Sequence, residues 1–295
     1  MRIVRTAAEA AEAARRAARP LGLVPTMGAI HAGHLALVAQ ARSECAAVLA
    51  TIFVNPLQFG PHEDFARYPR AFDDDVRKLE AAGVDLLFAP SVDEMYPPGF
   101  DSSVDPGAIA TRYEGALRPG HFRGVATVCA KLFGIAGAER AYFGQKDAQQ
   151  VAVLRQIKRD LALGPELIVV PTVREADGLA LSSRNAYLTP AERAAAPKLH
   201  RALQAMAEAV ERGETDRDRI VAAGRAHVAP PLREAYLDVV DPLTFVAVQS
   251  AAADGAPRAL TAIGSMWLGT TRLLDNLDVT ATGAAPAVLH ASAAP

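Results

Sequence analysis

The segment "VPTMGAIHAGHLALV" (24–38) sets His31 and His34 three residues apart, beside Gly28 and Gly33. The run before it, "LGLVP" (21–25), reads as a buried strand, and "HLALVAQARSE" (34–44) reads as a helix. Neither element needs an imidazole, so the junction asks for a ligand. Glycines let a backbone approach that ligand closely. The free amides at a helix N-terminus favour an anion such as phosphate. Histidines placed there can stabilise charge that builds on phosphate oxygens. Two isolated histidines are nonetheless more often solvated or structural. Zinc is a further alternative, but the stretch lacks the Glu of a His-Glu-x-x-His frame and a third ligand nearby.

Three other stretches carry candidate chemistry. In "FGQKDAQQ" (143–150) Lys146 sits just past the end of a strand, where ligands bind in open parallel sheets. Lys146 is a mobile point charge able to follow phosphates. Gly144 leaves room, Asp147 can hydrogen-bond a ribose or orient a neighbour, and Gln150 shares the Lys146 face one helical turn on. The bland alternative is a lysine–aspartate pair at a helix start. In "FVNPLQF" (53–59), Asn55 and Gln58 are neutral amides that suit hydroxyls and a carboxylate, or else ordinary loop polar groups. In "GLALSSRN" (178–185), Ser182, Ser183 and Arg184 form either a phosphate clamp or a turn ahead of a Thr189 helix cap.

These residues need elements to hold them. Strand-like and helix-like segments alternate through the first half: strands at 21–25, 46–55, 84–90, 140–144 and 166–174, helices at 34–44, 73–83, 124–137 and 147–161. Such alternation predicts a Rossmann-like α/β fold, a doubly wound parallel sheet covered on both faces, over residues 1–178. The N-terminal "MRIVRTAAEAAEAARRAARP" reads as a surface helix. After about residue 185 the texture changes to a helix at 189–213, a second at 216–228, and short strands at 233–241, 244–248 and within 258–279. This predicts a smaller C-terminal α+β domain (179–283), with a disordered tail at 284–295. Asp73, Asp74 and Asp75 open the helix at 73–83, where acids suit the positive end of the helix dipole.

Composition narrows the function. A net charge of −2 removes the electrostatic case for general nucleic-acid binding. The N-terminal segment mixes arginine with glutamate and lacks the apolar core of a signal peptide, and no uninterrupted apolar run approaches the roughly 20 residues of a membrane span. Cys45 and Cys129 lack metal-type spacing and read as buried, reduced thiols, which fits a soluble cytoplasmic protein.

With these residues in view, "PTMGAIHAGH" resembles the nucleotide-binding signature of the pantothenate synthetases, within the wider His-x-Gly-His nucleotidyltransferase superfamily. The likeness continues in order through "FVNPLQFGPHEDFARYPR" (53–70), "RPGHFRGVATV" (118–128), "YFGQKDAQQ" (142–150) and "LALSSRNAYLTP" (179–190). The resemblance implies a ligase that joins (R)-pantoate to β-alanine with ATP, through a pantoyl-adenylate. It implies ATP binding by Met27, Gly28, Ala29, Ile30, His31, Ala32, Gly33 and His34, by Gly144, Gln145, Lys146 and Asp147, by Val173, and by Leu181, Ser182, Ser183 and Arg184. His34, Lys146, His31 and Arg184 would be the catalytic set. Gln58 and Gln150 would contact pantoate, and Gln58 and Asn55 would hold β-alanine. Tyr68 and Arg118 are further candidates for that pocket. Ala148 stands where the family is commonly aromatic, a change expected to alter packing only.

Magnesium, a C-terminal lid and a homodimer are implied in the same way. Asp74 and Asp75 are candidate magnesium neighbours, but Lys78 replaces a glutamine found in some relatives, so no protein ligand is assigned. One alternative is a related enzyme that transfers a nucleotide permanently to a phosphorylated acceptor, which would favour extra cations over neutral amides. A non-catalytic nucleotide sensor is another, though binding alone does not require both histidines, Lys146 and Arg184 together.

Overall fold

The computed structural model describes residues 1–61, 63–252 and 257–281, so the expected tail at 284–295 lies outside the described residues. The chain divides into two compact units, Met1–Tyr187 with Leu243–Phe245, and Leu188–Pro242 with the remainder.

The first unit is built on a parallel sheet of β1 (Arg2–Val4), β2 (Leu21–Val24), β3 (Ala47–Thr51), β4 (Leu86–Phe88), β5 (Arg140–Gly144) and β6 (Glu166–Val170). Between these strands run the helices α1 (Ala7–Arg16), α2 (Ala32–Glu44), α3 (Phe72–Ala81), α4 (Val92–Met95), α5 (Glu114–Leu117), α6 (His121–Ala136) and α7 (Ala148–Asp160). Every residue of β2 and β3 is buried, as expected of strands covered on both faces. Leu23, Leu49 and Leu87 are inaccessible to solvent or nearly so and mark the centre of the core.

Strand order is β1-β4-β3-β2-β5-β6. From β2 the chain steps one way through β3 to β4, and from β5 it steps the other way to β6. The carboxyl ends of β2 and β5 therefore flank the topological switch point, where such sheets bind ligands. The loop carrying His31 leaves β2, and the Lys146 segment leaves β5. Their adjacency follows from the β2–β5 pairing, with Gly22 opposite Arg140 and Leu23 opposite Ala141.

The N-terminus differs from the expected continuous helix. Thr6 and Glu9 form a reciprocal capping box that starts α1 at Ala7. That leaves Arg2–Val4 extended to pair with β4 at the sheet edge.

The first unit also extends past the expected boundary at 178. Arg174 bridges to Ala180, the Leu181 N–H donates to the Val173 carbonyl at 3.0 Å, and Asn185 Nδ2 donates to the Ala180 carbonyl at 3.0 Å. These bonds fold 179–185 back onto the segment after β6, so Ser182–Arg184 belong to the first unit.

The second unit holds α8 (Pro190–Ala195), α9 (Lys198–Glu211), α10 (Arg217–Arg225) and an antiparallel sheet of β7 (Arg233–Val240), β8 (Arg258–Leu268) and β9 (Thr271–Ala281). The single helix expected at 189–213 is two, divided at Pro197, which lacks the N–H that a continuing helix requires. Residues 244–248 form no strand. They make one bridge, Val240 to Ala247, because the left-handed backbone of Phe245 (φ 53°) interrupts extension. Among the described residues no helix is long and apolar enough to cross a membrane.

Candidate active site

The loop after β2 is held by three sets of contacts. Thr26 and Thr51 latch the ends of β2 and β3, with Thr26 N–H donating to Thr51 Oγ1 at 3.1 Å and Thr26 Oγ1 to the Thr51 carbonyl at 2.5 Å. Gly28 (φ 82°) and Ala29 (φ 53°) then turn through consecutive left-handed conformations. Asp75, from the first turn of α3, accepts the Ala29 N–H at 2.8 Å and the Ile30 N–H at 2.7 Å. Lys78 donates to the Ile30 carbonyl at 2.9 Å and pairs with Asp74 at 2.6 Å.

His31 caps α2. Its Nδ1 accepts the Gly33 N–H at 3.1 Å, and the His31 N–H points to His34 Nδ1 at 3.4 Å. The two rings lie 4.1 Å apart between centroids. A Cβ on Gly33 would fall 2.8 Å from His31 Cε1, which explains glycine there. With both Nδ1 atoms accepting, each ring carries its proton on Nε2, a tautomer assigned from these hydrogen bonds. Burial, then the neighbouring His31, lowers the His34 pKa to about 3. Burial and then Lys146 also lower that of His31. At neutral pH these are uncharged Nε2–H donors rather than cations.

Around the switch point lies a cavity of about 150 Å³. Phe53, Val125, Val128, Leu132 and Phe143 supply apolar wall, while Met27, His34, Asn55, Gln58, Asp147 and Gln150 supply its polar or polarisable groups. Tyr68, buried, also lines it. Cys129 does too, but burial pushes its thiol pKa up to about 12, so it stays protonated. Residues from four of the quoted stretches thus share one space.

Lys146 and Arg184 lie outside the cavity lining yet act on its neighbourhood. Lys146 sits 3.5 Å from Asp147 Oδ1 and repels the protonated forms of both histidines. Arg184 is the second residue of the turn Ser183–Tyr187, where its N–H donates to Ser182 Oγ at 3.3 Å, and its charge reaches Glu63. Gly144 and Gln145 mark the exit from β5, while Val173 and Leu181 form the rung beneath Ser182.

The neutral amides are set by a network that local patterns did not reveal. Asn55, 1% exposed, donates from Nδ2 to Gln58 Oε1 and to the Gly124 carbonyl, both at 3.1 Å. Its Oδ1 accepts the Leu57 N–H at 3.2 Å and the Tyr96 hydroxyl at 2.8 Å. Asn55 therefore orients Gln58 more than it offers spare donors. Gln58 turns its Nε2 onto Met27 Sδ at 3.0 Å, a weak acceptor that a ligand oxygen would outcompete.

The Gln58 carbonyl is gripped by His121 Nδ1 at 2.8 Å and by Arg118 at 3.3 Å. Arg118 also pairs with Glu63 and meets His121 Nε2 at 3.0 Å. Arg118, expected in the pocket itself, is instead part of this brace. Burial, then Arg118, lowers the His121 pKa to about 4, so His121 is neutral with its proton on Nδ1. Sequence reasoning did not single out His121, Glu63 or Tyr96. The Gln58 carbonyl, Arg118 and Asn55 that they respectively bond lie far from them along the chain, and no spacing rule marks them.

Asp74 and Asp75 do not fit a magnesium ion. Each Asp75 oxygen accepts a loop amide, the residue is 2% exposed, and Asp74 pairs with Lys78 and Arg77. Among the described residues no group of three or more His, Cys, Asp or Glu could hold a metal ion.

A doubly wound sheet with polar groups from both sides of its switch point converging on one cavity defines an α/β enzyme of the nucleotide-binding type. Residues 2–278 match the family model of pantoate-beta-alanine ligase. A pantothenate synthetase of Chloroflexus aurantiacus is 54% identical over 94% of this chain and 97% of its own length. The crystal structure of pantothenate synthetase from Thermus thermophilus superposes with a TM-score of 0.86 at 48% identity, covering 94% of this chain and 99% of that one. A pantoate-beta-alanine ligase from Francisella tularensis, solved in complex with beta-gamma ATP and beta-alanine, gives a TM-score of 0.76 at 31% identity over 94% and 97%. The chain belongs to the pantoate–β-alanine ligase family.

Proposed function

We propose that this enzyme condenses pantoate with β-alanine in two steps through a pantoyl-adenylate. A pantoate carboxylate oxygen attacks the α-phosphorus of ATP and expels pyrophosphate. The β-alanine amine then attacks the activated carbonyl, loses a proton, and AMP departs. The observation that carries this reading is the division of donors around one small cavity. On the β2 side His34 presents an Nε2–H next to the α2 amides, as charge developing on phosphate requires. In the same cavity, Gln58 holds amide protons against the Met27 thioether, ready for a carboxylate or hydroxyl. Gln150 lines the same cavity. A volume of about 150 Å³ is well below the roughly 300–1,000 Å³ of drug-sized ligand sites. It suits the small acid, leaving the nucleotide to lie over the β2 loop and Lys146.

In this reading His31 and His34 donate to phosphate oxygens as neutral groups. Lys146 and Arg184 supply the positive charge. Ser182 and Ser183 flank Arg184 as further donors, and the backbone near Val173 and Leu181 faces the base. Magnesium belongs to the reading as the counter-ion of the triphosphate, without a ligand from Asp74 or Asp75. A cytoplasmic homodimer belongs to it as well.

Isotope exchange tests the mechanism. Labelled pyrophosphate should enter ATP when pantoate is present and β-alanine absent, and Lys146→Ala should suppress that exchange. Exchange that requires β-alanine would exclude a free-standing adenylation step.

A further inference from the structure

The β2 loop contains a conformation that its own residues do not favour. Gly28 tolerates a left-handed backbone, but Ala29 (φ 53°) is an L residue in a region such residues avoid. Something outside the loop must hold it. The holder is α3, which grips three consecutive peptide groups. Asp75 takes the Ala29 and Ile30 N–H groups at 2.8 and 2.7 Å, and Lys78 takes the Ile30 carbonyl at 2.9 Å. Asp75 also closes against the loop, since a Cβ on Gly28 would lie 2.9 Å from its Oδ2. The next residue is His31, whose ring caps α2 and stacks with His34. The peptides that lead into the α2 amides and both Nε2–H groups are therefore held chiefly by one buried carboxylate, with Lys78 and the Thr26–Thr51 latch beside it.

We propose that Asp75, seconded by Lys78, is the positioning residue of the nucleotide loop, and that it acts without touching magnesium. This rests on the reading of the β2 loop as the nucleotide site. A metal ligand and a loop clamp differ in one measurable respect. A ligand matters only when the metal is present, whereas a clamp matters to the bare nucleotide as well.

The test is ATP binding by calorimetry, in excess EDTA and in excess magnesium, to the unaltered chain and to Asp75→Asn. Asparagine keeps one acceptor oxygen and turns an NH2 toward the second amide. Loss of a charge-assisted bond should weaken ATP about tenfold, and equally in both conditions. The KM for β-alanine and the magnesium concentration at half-maximal rate should not move. Ala29→Gly in the Asp75→Asn background should recover most of the loss, because glycine enters the left-handed region unaided. If Asp75→Asn does not fold, Lys78→Met must give the same pattern at smaller size.

Weakening confined to the magnesium condition would overturn the clamp in favour of a metal ligand. Unchanged ATP affinity would overturn it outright. Equal loss for every substrate, with no recovery from Ala29→Gly, would reduce Asp75 to a core carboxylate. Failure of the unaltered chain to bind ATP at all would remove the nucleotide reading itself, an outcome distinct from these.

Discussion

The brace behind Gln58 makes the stability of the fold depend on pH. His121 sits between the Gln58 carbonyl and Arg118, and burial followed by the Arg118 charge lowers its pKa from 6.5 to about 4. In the unfolded chain the imidazole titrates near 6.5. Above that pH it is neutral in both states and contributes no pH dependence. Below it the unfolded chain binds a proton that the folded chain refuses, so stability falls with decreasing pH until about 4. Each unit of pH is worth up to about 1.4 kcal/mol, so between pH 7 and 5 His121 alone should remove about 2 kcal/mol. His121→Asn keeps a donor in the Nδ1 position but cannot titrate. Urea unfolding at pH 7, 6 and 5, at constant ionic strength, measures the difference. The variant should lose about 2 kcal/mol less than the unaltered chain over that range. It should remain somewhat acid-sensitive, because His34 is lowered in the same direction. Parallel stability curves would refute the assignment of a neutral His121 wedged against Arg118.

Two substitutions address the reaction itself. His34→Ala should leave the fold intact and slow single-turnover adenylate formation by roughly 10²–10³-fold, the usual loss for one preorganised donor, and an unchanged rate would remove His34 from the mechanism. Gln58→Ala should raise the KM for pantoate by about tenfold while changing that for ATP far less, since its amide faces the acid and not the triphosphate, and equal effects on both would place Gln58 elsewhere.

Local chemistry was legible where spacing carries it. The paired histidines, Gly28 and Gly33 announce a strand–turn–helix junction, and the structure places that junction after β2, with His31 as the α2 cap. Lys146 likewise falls just past β5. What spacing concealed was division of labour among similar groups. Asn55 and Gln58 read alike, but the first spends its amide on Gly124 and Gln58 while the second faces Met27. Asp74 and Asp75 also read alike. Helical geometry turns Asp74 toward Arg77 and Lys78 on the surface, and Asp75 inward onto the β2 loop. His121 carried no signal because the Gln58 carbonyl that it grips lies more than sixty residues away, and Arg118 three residues before it reads as an ordinary neighbouring charge.

The sequence by itself determined the alternation of strands and helices, the class of fold, and the residue types that each strand end presents. These depend on periodicity, capping and glycine or proline placement, which act over a few residues. Only the tertiary structure decided that β5 enters the sheet beside β2, which brings Lys146 and Asp147 to the histidines across a hundred residues of chain. It alone decided that α3 would clamp the β2 loop and that Arg118 would brace Gln58 instead of lining the cavity. Strand order, side-chain tautomer and the partner of each buried polar group come from pairings between distant segments. Their free energy is gained only when the whole unit closes, so no local window of sequence contains them.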